Sequence, residues 1–415
     1  MSSMMQDAEH IIREAIAAVL PDAAVRRALA GKKYKKPVHL VAIGKAAWRM
    51  ARAACDVMGD QAARGVVITK YGHSEGSIPR MEIFEAGHPV PDENGVRAAA
   101  RALALVRDLT EEDTVVLLVS GGGSALFELP MEGASLADIA GLTRQMLACG
   151  ADITEMNTIR KHLSAVKGGR FGAACAPAQV ECIVLSDVLG DSLDTIASGP
   201  AVPDGSTCED VRRIIRKYAL SVPEHLLPLL DMETPKALSG VKTQITGNVS
   251  ALCRAAADSA RAQGYQPLLL TTTLDCEARE AGAMLAAIAR EIRRTGHPAS
   301  PPCAVIMGGE TVVHVRGSGK GGRNQELALA AAKGIDGMED VCIFAAGSDG
   351  TDGPTDAAGG IVTGEFARTA RARGLSIDAA LADNDAYTLL GEMDALVITG
   401  PTGTNVNDLY VLLMR

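Results

Sequence analysis

A doubly wound α/β architecture is what this sequence predicts, and three observations predict it. Short apolar runs of strand length recur through the chain, several followed by a glycine-rich turn and then an alanine-rich stretch of helical length. The runs are continuously apolar rather than alternating, which is how strands buried on both faces read. Parallel strands joined by helices cross over right-handedly, so helices come to cover both faces of the sheet. At 415 residues the chain has room for two such domains and buries a large core without disulfide staples.

The elements follow in order. Ile12, Ile16, Val19 and Leu20 recur at helical spacing. Asp7, Glu9 and Glu14 in the same stretch do not fit the basic-then-apolar layout of a signal peptide. Residues 38–43 form the first strand, followed by Gly44, Lys45 and a helix from Ala46. Further strands are expected at 66–69, 82–85, 114–120 and 181–186, with a helix over 93–107. Residues 221–243 contain Pro223, Pro228 and Pro235 and no clear strand, so the domain boundary is placed there, giving domains 1–238 and 239–415. The pattern then restarts with strands near 267–271, 303–307, 341–345 and 395–399, and a terminal strand at 408–414.

Composition removes several function classes. Acidic residues total 50 and basic residues 41, a net charge of −9 that lacks the basic footprint of a nucleic-acid binder. No apolar run is long and charge-free enough to span a bilayer, so no membrane partner is expected. The 9 cysteines are dispersed, without a CxxC pair. That pattern points to free thiols in the cytoplasm and offers no zinc-binding spacing. A homodimer is left open.

Glycine is in excess, at 43 residues or about 10% of the chain against a usual value of about 7%. The first cluster, Ser120-Gly121-Gly122-Gly123-Ser124, follows an apolar strand. Small residues at such a turn let backbone N–H groups approach phosphate oxygens, and Ser124 adds a hydroxyl; a tight turn without ligand is the alternative. Leu126 occupies the third glycine position of a dinucleotide fingerprint. The nearest Walker-like stretch, Gly317 to Lys320, continues with Gly321 where Ser or Thr would hold magnesium. An ordinary nicotinamide dehydrogenase and a P-loop enzyme are both disfavoured.

The second cluster, 317–322, leads into Arg323 and Asn324 at a helix start, where a guanidinium can grip a carboxylate or phosphoryl group bidentately. Solvated charges on a flexible hairpin explain it equally well. The third, 346–353, carries Asp349 and Asp352, which either collect magnesium or make Asx-turns. The fourth, 399–405, reads as a turn. Lys45 follows the first strand, where open α/β sheets bind ligands. Asp187 and Asp191 follow the strand at 181–186 and suit magnesium, which one or two carboxylates hold together with phosphate. Asn157, Arg160, Lys161, Lys167 and Arg170 form a basic stretch, either an anion grip or a solvated helix face. His73 and His88 lie in turns and give no ligand spacing.

Taken together and in order, GKAA (44–47), GHPVPD (87–92), SGGGSAL (120–126), NTIRKHLS (157–164), KGGR (167–170), LSDVLGD (185–191), SGP (198–200), TGN (246–248), GGET (308–311), GGRNQE (321–326), GSDGTDGP (347–354) and GPTGTNVND (400–408) closely resemble the glycerate 2-kinase family, whose members have often been labelled hydroxypyruvate reductases. The resemblance spans nearly the whole chain. It implies a Rossmann-like N-terminal domain and a second α/β domain with the active site in the cleft between them. It further implies phosphorylation of D-glycerate at its 2-hydroxyl by ATP with Mg2+. Lys45 and Arg323 correspond to the family's central lysine and arginine. Ser120, Gly121, Gly122, Gly123 and Ser124 would contact nucleotide phosphates, and Lys45, Arg323 and Asn324 would contact substrate. Asp187 is the expected catalytic carboxylate, and Asp187, Asp191, Asp349 and Asp352 are the expected metal residues. The rivals are a hydroxypyruvate reductase using NAD(P)H, a glycerate 3-kinase, and a nucleotide-binding sensor without turnover.

Overall fold

The computed structural model describes residues 3–415. The chain divides into two compact units, one running from Pro21 to Thr246 and the other joining the residues up to Leu20 with Gly247–Arg415.

The Pro21–Thr246 unit is built on six strands: β1 (Val38–Ile43), β2 (Ala62–Lys70), β3 (Met81–Ala86), β4 (Thr114–Val119), β5 (Gln179–Leu185) and β6 (Val241–Gly247). Their order is β3-β2-β1-β4-β5-β6, and β3, β2, β1, β4 and β5 pair in parallel. Side chains alternate between two cores. Val41, Ile43, Val115, Leu117 and Val119 pack with Ala98 and Ala102 of the helix Glu93–Val106. Leu40, Ala42, Val116 and Leu118 pack on the other face with Met50, Ala51 and Ala54 of the helix Ala47–Met58. Burial on both faces is why the central strands β1 and β4 are apolar at nearly every position, His39 and Thr114 apart. From β1 the order proceeds outward to β2 on one side and to β4 on the other. At such a reversal open sheets bind ligands beyond the carboxyl ends of the strands, here the carboxyl ends of β1 and β4.

The second unit holds β7 (Gln266–Leu274), β8 (Cys303–Gly309), β9 (Val341–Gly347), β10 (Gly359–Thr363), β11 (Leu396–Val397) and β12 (Asp408–Met414), in the order β11-β10-β9-β12-β8-β7. Here the mainly parallel expectation does not hold. Only β7 and β8 pair in parallel, while β12 runs antiparallel to both β8 and β9, and β10 runs antiparallel to β9 and β11. β12 inserts between two strands it does not follow directly, and β10 returns from β9 through a loop rather than a crossover helix. The helices Ala278–Thr295 and Arg323–Gly334 supply much of this unit's core.

The structural division departs from the expected boundary at 238/239. β6 lies beside β5 in the first sheet, with Thr246 Oγ1 donating to the Val184 carbonyl at 3.3 Å. Its alternating, half-exposed residues such as Lys242 and Gln244 are those of an edge strand, so it shows no apolar run. The opening helix Ser3–Ala18 belongs with the second unit, where Asp7 accepts from Tyr265 Oη at 2.7 Å and from Arg415 at 2.6 Å. All the cysteines are free thiols. Among the described residues no helix is long and apolar enough to cross a membrane.

Candidate active site

The turns after β1 and β4 interlock. Gly44 has φ +114°, and a Cβ there would lie 2.4 Å from the Ser120 carbonyl oxygen, so only glycine permits the approach. The Lys45 N–H donates to the Gly121 carbonyl at 2.9 Å. Ser120 Oγ accepts from the Ala46 N–H at 3.1 Å and donates to the Ile43 carbonyl at 3.3 Å, which commits this hydroxyl to joining the two turns. The Lys45 carbonyl accepts from Thr69 Oγ1 at 3.2 Å. Its main chain is thereby fixed, while its half-buried side chain makes no ion pair or hydrogen bond among the described residues.

The glycine loop sits against two chemical groups. A Cβ on Gly121 would fall 2.1 Å from Asp187 Oδ2, and one on Gly122 would fall 3.0 Å from the His88 ring and 3.2 Å from Lys45 Cγ. Gly122 itself is left-handed, at φ +81°. Lys45, His88, Gly121–Gly123 and Asp187 therefore converge beyond the carboxyl ends of β1, β4 and β5. The Gly121 and Gly122 N–H groups make no backbone hydrogen bond among the described residues, which suits an anion cradle. Burial pulls the His88 pKa down, and Lys45 and Lys70 add to that, which favours the neutral imidazole.

Ser124 Oγ lies 2.8 Å from Ser198 Oγ, which in turn donates to Asn157 Oδ1 at 3.2 Å. Arg160 reaches the Ser124 carbonyl at 3.4 Å. Asn157 and Arg160 lie one turn apart on the helix Ile153–Leu163, and burial lowers the Arg160 pKa. The basic stretch is not a solvated face. Lys161 is buried against Asp204 at 3.1 Å. Lys167 is fully buried, 2.8 Å from Glu128 Oε2 as an ion pair without hydrogen-bond alignment. Its one hydrogen bond goes to the Phe127 carbonyl at 2.9 Å, and burial pushes its pKa down to about 8. Asp191 closes a turn, its N–H donating to the Val188 carbonyl at 3.1 Å.

In the second unit Arg323 opens the helix Arg323–Gly334. Its Nε and Nη2 donate to Asp408 at 2.6 and 3.2 Å, and Nη1 donates to Glu310 at 2.8 Å. Of the guanidinium's five N–H groups, this leaves one on each terminal nitrogen. Burial pulls the Arg323 pKa down, but Asp408 and Glu310 more than offset it, and the group is held charged. Tyr410 Oη also donates to Asp408 at 3.2 Å, and Asn407 donates to Glu310 at 3.1 Å. Asn324 is buried and donates through N and Nδ2 to Asp352 Oδ1 at 3.2 and 3.4 Å.

Several expected ligands have other work. Asp352 Oδ2 accepts from the Gln325 N–H at 2.9 Å, so both carboxylate oxygens serve N–H groups that a helix start leaves without a partner inside the helix. Burial nevertheless pushes the Asp352 pKa up to about 7. Asp349 makes the Asx-turn, accepting from the Thr351 N–H at 3.0 Å. The 317–322 cluster is neither a hairpin nor a free cradle. The Gly317, Ser318 and Lys320 N–H groups donate to Asn384, Asp383 and Asp385 at 3.1, 2.9 and 2.9 Å. The third and fourth clusters pack on each other, Thr402 Oγ1 donating to the Ser348 carbonyl at 2.6 Å.

Reading by residue type missed His88, Asp408, Glu310 and Ser198. All lie inside the ordered motifs, which were the one signal that could have flagged them. An acid that orients an arginine from the far end of a chain leaves no local spacing to detect.

The chain matches two family models: DUF4147, a domain of unknown function, over residues 7–231, and the MOFRL family over residues 303–408. It is 54% identical to the D-glycerate 2-kinase of Thermotoga maritima, covering 99% of both chains. It is 41% identical to a glycerate 2-kinase of Pyrococcus horikoshii, covering 97% of this chain and 96% of that one. A crystal structure of Thermotoga maritima glycerate kinase superposes over all of both chains with a TM-score of 0.97 at 53% identity. The chain belongs to the glycerate 2-kinase family.

Proposed function

We propose that this protein is a D-glycerate 2-kinase, transferring the γ-phosphoryl group of ATP to the 2-hydroxyl of D-glycerate to give 2-phosphoglycerate and ADP. The observation that carries the proposal is the convergence of Lys45, the Gly121–Gly123 loop and the Asp187 carboxylate at the sheet's switch point. The full-length similarity to a D-glycerate 2-kinase supports the choice of substrate.

The residues divide the work as follows. Backbone N–H groups of Gly121 and Gly122 bind phosphate oxygens, and Ser124 adds its hydroxyl. Lys45 neutralises charge on the phosphoryl group in flight. Arg323, oriented by Asp408 and Glu310, presents its two remaining N–H groups to the glycerate carboxylate, with Asn324 behind it. The glycerate 2-hydroxyl oxygen attacks the γ-phosphorus, the bond to the β–γ bridging oxygen breaks, and ADP leaves. Asp187 accepts the hydroxyl proton.

Magnesium fits this donor set. Asp187 lies against the glycine cradle and Asp191 follows on the same loop, both offering hard carboxylate oxygens, and magnesium is commonly held by one or two carboxylates with substrate phosphates. Asp191 is the residue that would hold it, and the ion supplies charge neutralisation to the triphosphate. Asp352 stands outside the metal set because it is buried and its two oxygens hold the N–H groups of a helix start. A cytoplasmic location is supported by the free thiols. A nicotinamide reductase is disfavoured because Leu126 stands at the third fingerprint position and is fully buried.

Kinetics of Lys45→Ala and Lys45→Met test the assignment. Both are expected to retain the fold and to lose at least about 10²-fold in kcat, the scale of an electrostatic contact to a developing charge. Unchanged kcat in either would remove Lys45 from the mechanism.

A further inference from the structure

Away from the site described above, His162, Cys208 and Glu233 converge within the Pro21–Thr246 unit. One ligand atom from each lies within 4.8 Å of the other two. They come from segments far apart in sequence: the last turn of the helix Ile153–Leu163, the first residue of the helix Cys208–Tyr218, and the stretch before Pro235.

His162 is fully buried, with Nδ1 2.9 Å from the Thr158 carbonyl oxygen. A carbonyl only accepts, so Nδ1 carries the proton and Nε2 presents a lone pair. That Nε2 is buried without any hydrogen-bond partner. A buried orphan of this kind costs about 1–3 kcal/mol and calls for a physical reason. Metal-bound histidines fix their second nitrogen on a carbonyl in this way.

The other two groups complete a donor set. Cys208 is buried, and its N–H donates to Glu233 Oε1 at 3.0 Å. Lys236 Nζ lies 2.9 Å from Glu233 Oε2. Each carboxylate oxygen keeps a second lone pair. Glu233 is exposed, which gives a cation a path in and leaves a position open to water.

We infer that His162, Cys208 and Glu233 form a binding site for a thiophilic divalent cation, best matched by Zn2+, with a water as fourth ligand. Imidazole, thiolate and carboxylate are the donors zinc takes, whereas magnesium is poorly served by sulfur and nitrogen. On binding, the Cys208 S–H bond breaks, a sulfur–metal bond forms, and the proton passes to solvent, with no change of oxidation state. The absence of a CxxC pair hid the site, because its ligands meet only in the folded chain. A cation there would tie the helix carrying Asn157 and Arg160 to the helix Cys208–Tyr218.

Chelator-dialysed, full-length protein titrated with Co2+ tests this. The expected result is saturable binding of one Co2+ per chain, with a thiolate-to-cobalt charge-transfer band in the near ultraviolet. Zn2+ should abolish the band and excess Mg2+ should not. Cys208→Ser should lose the band, and His162→Gln and Glu233→Gln should each weaken binding by at least about 10–100-fold, the loss that removal of even an outer-shell partner causes. Glu233 is exposed, so its variant keeps the test valid should a buried substitution unfold the protein. Absence of saturable binding in the wild-type chain, or an unchanged band in Cys208→Ser, would overturn the inference.

Discussion

Gly121→Ala isolates the contact between the phosphate loop and Asp187. Gly121 does not have the left-handed backbone of Gly122, so alanine adds no conformational strain there. Its methyl group would fall 2.1 Å from Asp187 Oδ2 and 2.8 Å from Cγ. Ordinary contact needs about 3.5 Å, so the carboxylate must retreat by more than about 1 Å. A displacement of that size at a reacting group costs about 10²-fold in rate, equivalent to about 2.7 kcal/mol of barrier. The assay is steady-state ADP release with D-glycerate, alongside thermal unfolding to show an intact fold. Because the methyl group acts through Asp187, Gly121→Ala should cost nothing further in an Asp187→Ala background. A Gly121→Ala enzyme with wild-type kcat, or full additivity in the double variant, would refute the reasoning.

Three further outcomes follow from the geometry. Arg323→Ala removes the fork assigned to the glycerate carboxylate and should lower kcat/KM by about 10²-fold or more, the scale of a lost charge-assisted contact, but it also strands buried Asp408. Arg323→Lys, which keeps a charge beside Asp408 and loses the fork, should therefore be better folded and still poorly active by kcat/KM. Lys167→Met leaves Glu128 buried and uncompensated and should cost about 3–5 kcal/mol in urea unfolding, with Lys167→Met/Glu128→Leu recovering most of it. Asp352 has its pKa raised from 3.8 to about 7 by burial. Between those values the folded state holds more protons than the unfolded state, so this group's contribution to stability falls as pH rises through that window. The stability of wild type relative to Asp352→Asn should drop from pH 4 to pH 7 by at most about 4 kcal/mol, and a flat difference would show that Asp352 stays ionised throughout.

What was legible in the sequence tracks what is local. β1 and β12 appear at their expected bounds because both are almost wholly apolar, His39 and Asp408 apart, and are enclosed by neighbours along most of their length. β6 was hidden because an edge strand alternates, and β10 because it opens on Gly359 and Gly360. Strand direction in the second sheet was not legible, since nothing local in residues 408–414 says which neighbours they will join. At the site, Lys45, Asp187 and the glycine loop could be found because each directly follows a strand. Asp352 misled because a helix cap and a metal ligand present the same residue type on the same kind of loop. His88 and Asp408 meet the proposed site through spatial neighbours, Gly122 and Arg323, from which they are separated in sequence.

The central claim is the identity of the phosphorylated product. Full-length protein incubated with ATP, Mg2+ and D- or L-glycerate, followed by phosphorus NMR, tests it most directly. 2-Phosphoglycerate and ADP should form from D-glycerate, with little product from L-glycerate. Formation of 3-phosphoglycerate, or NADH consumption with hydroxypyruvate and no phosphorylated product, would contradict it.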